Sequence, residues 1–452
     1  MSTSIERPEV AAPPAWRFPA IHESRLSNGI RLLRIHLPGQ YVTSSRLVVQ
    51  APIAAEPDGA DGVAQLTSRT LDEGTAVRSG EEFAAAVERQ GAHYGAWVFD
   101  ASVHIGVDVA AGRLGPALAL LAEAVTQPAF PDGEIARHVA LRIGEIEQDH
   151  ADPGSLAHET FTAQVFDPAT RLARPVGGTA ASVAALDRAV VQAYYEATYS
   201  PARATLVVAG DLTGVDVEAL ADATLGSWAS SATGSDVLTV PGPAPGPKLV
   251  VVDRPGAVQT ELVIGCPGPD RTDAAWAEHV LAARIVGGTI TSRLDAELRE
   301  EKGYTYGIRA SFSPFARGGL FSASGAVRTE VTGAALSDAL RILATARDGF
   351  SDLEVADAAG YLTRMAPLRY ETASDITSQT ASNIANGVGV DFVDRHQAAL
   401  AAVTPDGATQ AYSRSVAIDG LTVVAVGDAA AIEAQLGTHD LSDYGLGDVV
   451  RA

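Results

Sequence analysis

"ATLVVAGDL" (Ala204–Leu212) and "LTVVAVGDA" (Leu421–Ala429) decide the fold, because each is a short apolar run that closes on Gly-Asp and they lie 217 positions apart. Runs of this length, rich in Val and bounded by turn residues, read as buried strands. A unit that recurs at a fixed offset is the mark of a duplication.

Working outward from the two strings, the same order of elements appears twice. In the first half, "LSNGIRLL" (Leu26–Leu33) places Asn28-Gly29 between two apolar stretches, a hairpin signal, and "TSSRLVVQA" follows as a second strand. Helical periodicity then marks Gly62 to Leu71 and Gly80 to Gln90, with strand-like "SVHIGVDV" and helices through "RLGPALALLAEAVTQ" and "DGEIARHVALRIGEIEQD" behind them. The second half repeats this with "KLVVVD" and "TELVIGC" as strands, "DAAWAEHVLAARIVGG" as a helix and "GLFSASGAV" as a strand. Helices follow over Ala334 to Asp348 and Asp352 to Met365. Between the halves, "SSATGSDVLTVPGPAPGPKLV" carries four prolines and reads as a stiff, solvated connector. The expected organisation is a domain over 1–235, a Pro/Gly-rich linker over 236–248 and a second domain over 249–452, each an α+β unit of about 200 residues.

Composition excludes several classes. At 452 residues, 46% apolar and 19% charged, the chain is long enough for two ordinary cores and is not a disordered sequence. Thirty-three Lys and Arg against 55 Asp and Glu give a net charge of −22. A field of that sign opposes a phosphate backbone or an anionic membrane surface, so neither nucleic acid nor membrane is expected as a partner. Cys266 is the single cysteine, which rules out an intramolecular disulfide framework and any CxxC metal knuckle. With no basic-then-apolar leader and no stretch of 18 uncharged apolar residues, a soluble, cytoplasmic protein is expected.

Two further stretches carry the chemistry: "DGVAQLTSRTLDEGT" (Asp61–Thr75) and "SRLDAELREEKGYTYG" (Ser292–Gly307). With "LSNGIRLL", "YYEATYSPARATLVVAGDL", "DRPGAVQTEL" and "GGTITSRLDAELREEKGYTYG", they make the chain resemble, over nearly its whole length, the insulinase and pitrilysin family of zinc peptidases. The similarity is to the two-subunit, mitochondrial-processing-peptidase-like branch. The resemblance implies two homologous domains, each a mainly antiparallel sheet covered on one face by helices, and two chains closing around a peptide chamber.

Catalytic chains of that family carry His-x-x-Glu-His on one helix, where residues i and i+4 share a face so that two imidazoles meet one zinc and the Glu activates water. The matching positions here are Gln65, Ser68 and Arg69. Gln65 is a poor zinc ligand, Ser68 is no carboxylate base, and Arg69 puts a permanent cation where a dication would sit. Glu145 stands where the family places its third ligand, and Gly95-Ala96 where it places an Asn-Ala pair on the neighbouring strand. The alternative, a different metal site among the ten histidines with His93, His104, His150 and His158 nearest, lacks any H-x-x-E-H or H-E-x-x-H spacing. No metal is therefore expected in this chain, and zinc is expected in a partner.

The second stretch reads as a helix ended by Gly303, with strand-like "YTYGIRASF" beyond. In the family, an Arg and a Tyr seven positions apart at this corner reach the zinc site from the second domain, and the spacing selects Arg299 and Tyr306. Tyr304 shares Tyr306's direction on a strand and is the alternative phenol. Both donor types suit the negative charge that grows on a peptide carbonyl oxygen during hydrolysis. The plainer reading of Arg299 is a solvated helix-end cation paired with Glu300 or Glu301. "VGG" at Val286–Gly288 lacks the rest of a phosphate loop and reads as a turn.

The resemblance implies the non-zinc subunit of a heterodimeric metallopeptidase that cleaves unfolded peptides or leader segments, inactive alone and paired with a homologous zinc-bearing subunit. A homodimer in isolation stays open. The alternative readings are a catalytically inert scaffold and a peptide-binding homologue that captures without cutting.

Overall fold

Apolar alternation closes into two six-stranded sheets in the computed structural model, which describes residues 16–230, 232, 240–244, 248–439, 441–446 and 449–451. The first sheet contains β1 (His22–Arg25), β2 (Arg31–His36), β3 (Val42–Val49), β4 (His93–Val98), β5 (Val103–Ala110) and β6 (Ala204–Gly210), in the order β1-β2-β6-β3-β5-β4. Only the β2–β6 pairing is parallel. The second contains β7 (Lys248–Asp253), β8 (Gln259–Gly268), β9 (Arg309–Pro314), β10 (Gly319–Arg328), β11 (Thr422–Gly427) and β12 (Val449–Arg451), in the order β12-β7-β11-β8-β10-β9. Here β7 runs parallel to both β11 and β12, and the other pairings are antiparallel. The chain is thus α+β with two mixed, mainly antiparallel sheets.

Helices α1 (Val63–Arg69), α2 (Gly80–Gln90), α3 (Leu114–Thr126), α4 (Asp132–Ala151) and α5 (Pro153–Val165) follow the first strands. On one face of the first sheet, Leu47, Ile105, Val107 and Val208 join Leu118 and Leu121 of α3 and Val63 of α1 in a single core. The second sheet builds the equivalent core from Leu262, Ile264 and Val423 with Leu281 and Leu340 of its own helices.

The two strings that revealed the duplication, β6 and β11, are buried along their whole length, and that explains why they read as continuous apolar runs rather than alternating ones. Their second faces are covered by helices exchanged between the halves. Asp152 caps α5 by accepting from Ser155 N at 2.7 Å, with Pro153 at the first helical position. Ala157, Phe161 and Val165 of α5 then pack on Val250, Val263, Val424 and Val426 of the second sheet. In return, Ala373 and Ile376 of the helix Ala373–Ala385 pack on Leu33, Ile35, Val207 and Ala209 of the first sheet. A buried Ser44–Thr377 hydroxyl pair at 2.7 Å pins that helix. The helix-covered face that the sequence led us to expect is present in each half, and the exchanged helix adds cover to the other.

One local expectation is corrected. Tyr304–Ile308 is not strand: β9 begins at Arg309, because buried Asp295 accepts from Ile308 N at 2.9 Å and pairs with Arg309, which fixes a corner first. Most of the expected linker 236–248 lies outside the described residues. Among the described residues, no helix is long and apolar enough to cross a membrane, and Cys266 is buried and free.

Candidate functional site

Helix α1 starts on Gly62, whose φ of 97° is left-handed and whose added Cβ would meet Gly177 O at 2.7 Å. Its first amides are satisfied by an acid: Gly62 N and Ala64 N donate to Glu56 Oε1 at 3.1 and 3.0 Å. The Glu56 side chain is fully buried and pairs with Arg171 Nε at 2.6 Å. Burial raises its carboxyl above the ordinary range, against the lowering pull of Arg171 and the Ala64 amide. Arg171 also donates to the carbonyls of Arg174, Pro175 and Val176, and Arg174 pairs with Asp61. This network holds the loop ending in Gly177-Gly178 against the exposed side of α1.

On that side the sequence expectation about position is met. Gln65, Arg69 and Glu145 come together, the first two one turn apart on α1 and the third on α4. Arg69 Nη1 donates to both Glu145 oxygens at 2.8 Å. With its amide oxygen turned toward Arg69, Gln65 accepts from Nη2 at 2.9 Å. Arg142, one turn before Glu145, adds a 3.2 Å contact to the same carboxylate and donates to Gly177 O. Arg69 first, then Arg142, hold the Glu145 carboxyl below its usual range. Ser68 is buried, and its hydroxyl donates back to Gln65 O at 2.9 Å.

The frame therefore contains a guanidinium–carboxylate pair where a metal would need lone pairs. Gln65 and Arg69 supply no imidazole, the carboxylate is taken by two cations, and Ser68 is no carboxylate base, so this donor set does not fit zinc. Among the described residues, no group of three or more His, Cys, Asp or Glu side chains converges as a metal site. The histidines weighed as an alternative are dispersed: His104 is buried against Ser102, His150 contacts Glu159, and His93 is exposed on β4.

In the second half, Arg293–Asp295 is a helical turn that widens into a π turn over Ala296–Glu301, a feature common at functional sites. Gly303, at φ 61°, ends it. Arg299 lies in the π turn, with Glu300 at 3.4 Å, and Tyr306 is 88% exposed. Tyr304 does not share Tyr306's direction: it is half-buried against the second core, its N–H donating to Leu298 O at 2.8 Å. Loss of strand geometry at 304–308 removes the alternation that would have paired them, so Tyr304 is a packing residue here. Neither Arg299 nor Tyr306 contacts Gln65, Arg69 or Glu145 in this chain. Arg142 and the Glu56–Arg171 network were missed in the sequence, where nothing but proximity in space connects them.

The family model described as Insulinase (Peptidase family M16) matches residues 31–179, and that described as Peptidase M16 inactive domain matches residues 185–361. An uncharacterized zinc protease of Mycobacterium tuberculosis is 28% identical over 358 residues, 76% of this chain and 78% of the relative. One from Streptomyces coelicolor is 27% identical over 414 residues, 85% of each. Among solved structures, a peptidase M16 inactive domain from Pseudomonas fluorescens superposes with a TM-score of 0.83 at 23% identity, covering 90% of this chain and 98% of that one. A protease from Helicobacter pylori does so with a TM-score of 0.84 at 15% identity, covering 91% and 100%. The two matched segments take in β2 to β10 and the altered helix α1, and the chain belongs to the insulinase family, peptidase family M16.

Proposed function

We propose that this chain is the non-zinc subunit of a two-chain cytoplasmic metallopeptidase, contributing Arg299, Tyr306 and half of a peptide chamber to a homologous subunit that carries the metal. The observation that carries this reading is the Arg69–Glu145 pair. The first domain keeps the frame of the family's metal helix while its contents suit no metal, whereas Tyr306 stands exposed at the surface and Arg299, half-buried, pairs with the exposed Glu300 beside it. A guanidinium and a phenol in such positions are donors for charge developing on a peptide carbonyl oxygen in a facing site.

The test is cleavage of a quenched peptide library by this chain alone, by a homologue with an intact His-x-x-Glu-His alone, and by the two mixed. Activity in the mixture well above that of either chain supports the reading. A mixture no more active than the homologue alone returns the chain to the scaffold class.

A further inference from the structure

The face of the first sheet that carries the helix Ala373–Ala385 over β6 and β3 continues onto β5 and the edge strand β4, beyond the two strands on which that helix chiefly packs. Ladder register places Arg46 of β3 opposite Gly106 of β5, and Gly106 opposite Gly95 of β4, in one row of this face. Their sequence neighbours Leu47, Ile105 and Ala96 point the other way, to the helix-covered core. Trp97, two positions along β4 from Gly95, folds back over the row. An added Cβ on Gly95 would stand 2.8 Å from its ring and one on Gly106 3.1 Å, so only glycines leave room for it. The Arg46 guanidinium rests on that ring, 4.7 Å from its centroid.

Arg46 is 8% exposed, and its Nε, wholly buried, has no hydrogen-bond partner among the described residues. Asp108, in the neighbouring row, is the acid it feels, yet the two are not within ion-pair distance, and Asp108 Oδ1 is itself buried and unpartnered. His104, on the same face, is held neutral, pushed down to about 3 by burial and by Arg46. A guanidinium cannot shed its charge and offers five donors in a plane. A shielded cation left this incomplete is costly, and a carboxylate ligand would complete it.

We propose that Arg46, over the Gly106–Gly95 floor and under the Trp97 cover, is a carboxylate-recognition site: a Glu side chain of a peptide crossing this face of β4 and β5 displaces the Trp97 ring and pairs with the guanidinium over Gly106. This rests on the reading that the chain binds peptide, and it names the substrate class as acidic, against the basic preference that the net charge alone suggests. Planar, bidentate pairing of this kind is what guanidinium offers and an amide side chain does not match.

The test uses this full chain alone and fluorescent peptides with both ends blocked that differ only in one Glu or Gln, with a third, Gln-containing peptide bearing a free C-terminus. Binding is read by anisotropy. The Glu peptide should bind at least about tenfold more tightly than the Gln peptide, and Arg46→Met should abolish the difference while leaving a chain that melts no lower, since it removes an unpaired buried charge. Equal binding of Glu and Gln peptides, a preference that survives Arg46→Met, or a preference confined to the free C-terminus would overturn the proposal. Cleavage by the mixed chains is read separately, so indifference to Glu with intact cleavage sinks this site and leaves the subunit reading standing.

Discussion

Phe161→Ala tests whether the two halves are one folding unit. Phe161 belongs by sequence to the first half, yet it is 1% exposed and packs with Val250, Val263, Val424 and Val426 on the second sheet. Its ring also lies over Gly265, where an added Cβ would be 2.8 Å from Cζ. Truncating a buried Phe to Ala costs about 3–5 kcal/mol through lost transfer energy and the cavity left behind. A large share of the stability of an ordinary domain is of that size. The loss should fall on strands distant in sequence, so hydrogen exchange should rise in β8 and β11, with urea unfolding giving the overall cost. The reciprocal change, Ile376→Ala, should cost about 2–5 kcal/mol and open β2 and β6. A cost below about 1 kcal/mol, or faster exchange confined to α4 and α5, would show the exchanged helix to be an appendage and refute the argument.

The remaining predictions concern the altered metal frame and one strained acid. Replacing Gln65, Ser68 and Arg69 together by His, Glu and His recreates two imidazoles one turn apart facing Glu145. The variant should retain about one zinc per chain by elemental analysis after dialysis, and a folded but metal-free variant would show that more than side chains had been lost. Asp72 is raised to about 6, chiefly by burial, with the Glu73 charge adding to it. Because folding lifts this pKa above its unfolded value, the native state disfavours the ionised form, and stability falls as pH climbs from about 4 through 6. Asp72→Asn should therefore stabilise by about 1–3 kcal/mol at pH 7.5 and have little effect at pH 4, read from melts at both values. A gain that is the same at both pH values would assign the effect to packing.

How far the sequence reaches is seen in particular residues. Asn28-Gly29 forecast the hairpin because a left-handed Gly29, at φ 92°, is a local requirement written in two letters. The repeated Gly-Asp endings located β6 and β11 because a strand buried on both faces has no freedom to vary its polarity. The meeting of Gln65, Arg69 and Glu145 was legible through helical spacing and family resemblance together. What was not legible is long-range: the exchange of α5 for Ala373–Ala385 depends on which sheet each apolar stripe finds, and period alone does not record a partner. Arg46 escaped notice for the same reason, since "TSSRLVVQA" reads as an ordinary strand and only register against Gly106 and Gly95 shows a cation crossing a bare floor. Tyr304 was misplaced because a strand pattern was extended through a corner that Asp295 fixes from nine residues upstream.

The central claim is that residues of this chain act on chemistry located in another. Its most direct measurement is turnover by the mixed chains with Arg299→Ala and Tyr306→Phe introduced here, alongside complex formation by sedimentation. The account predicts unchanged assembly with kcat lowered about 10²–10³-fold by loss of either donor. Full turnover by both variants in an intact complex would contradict it.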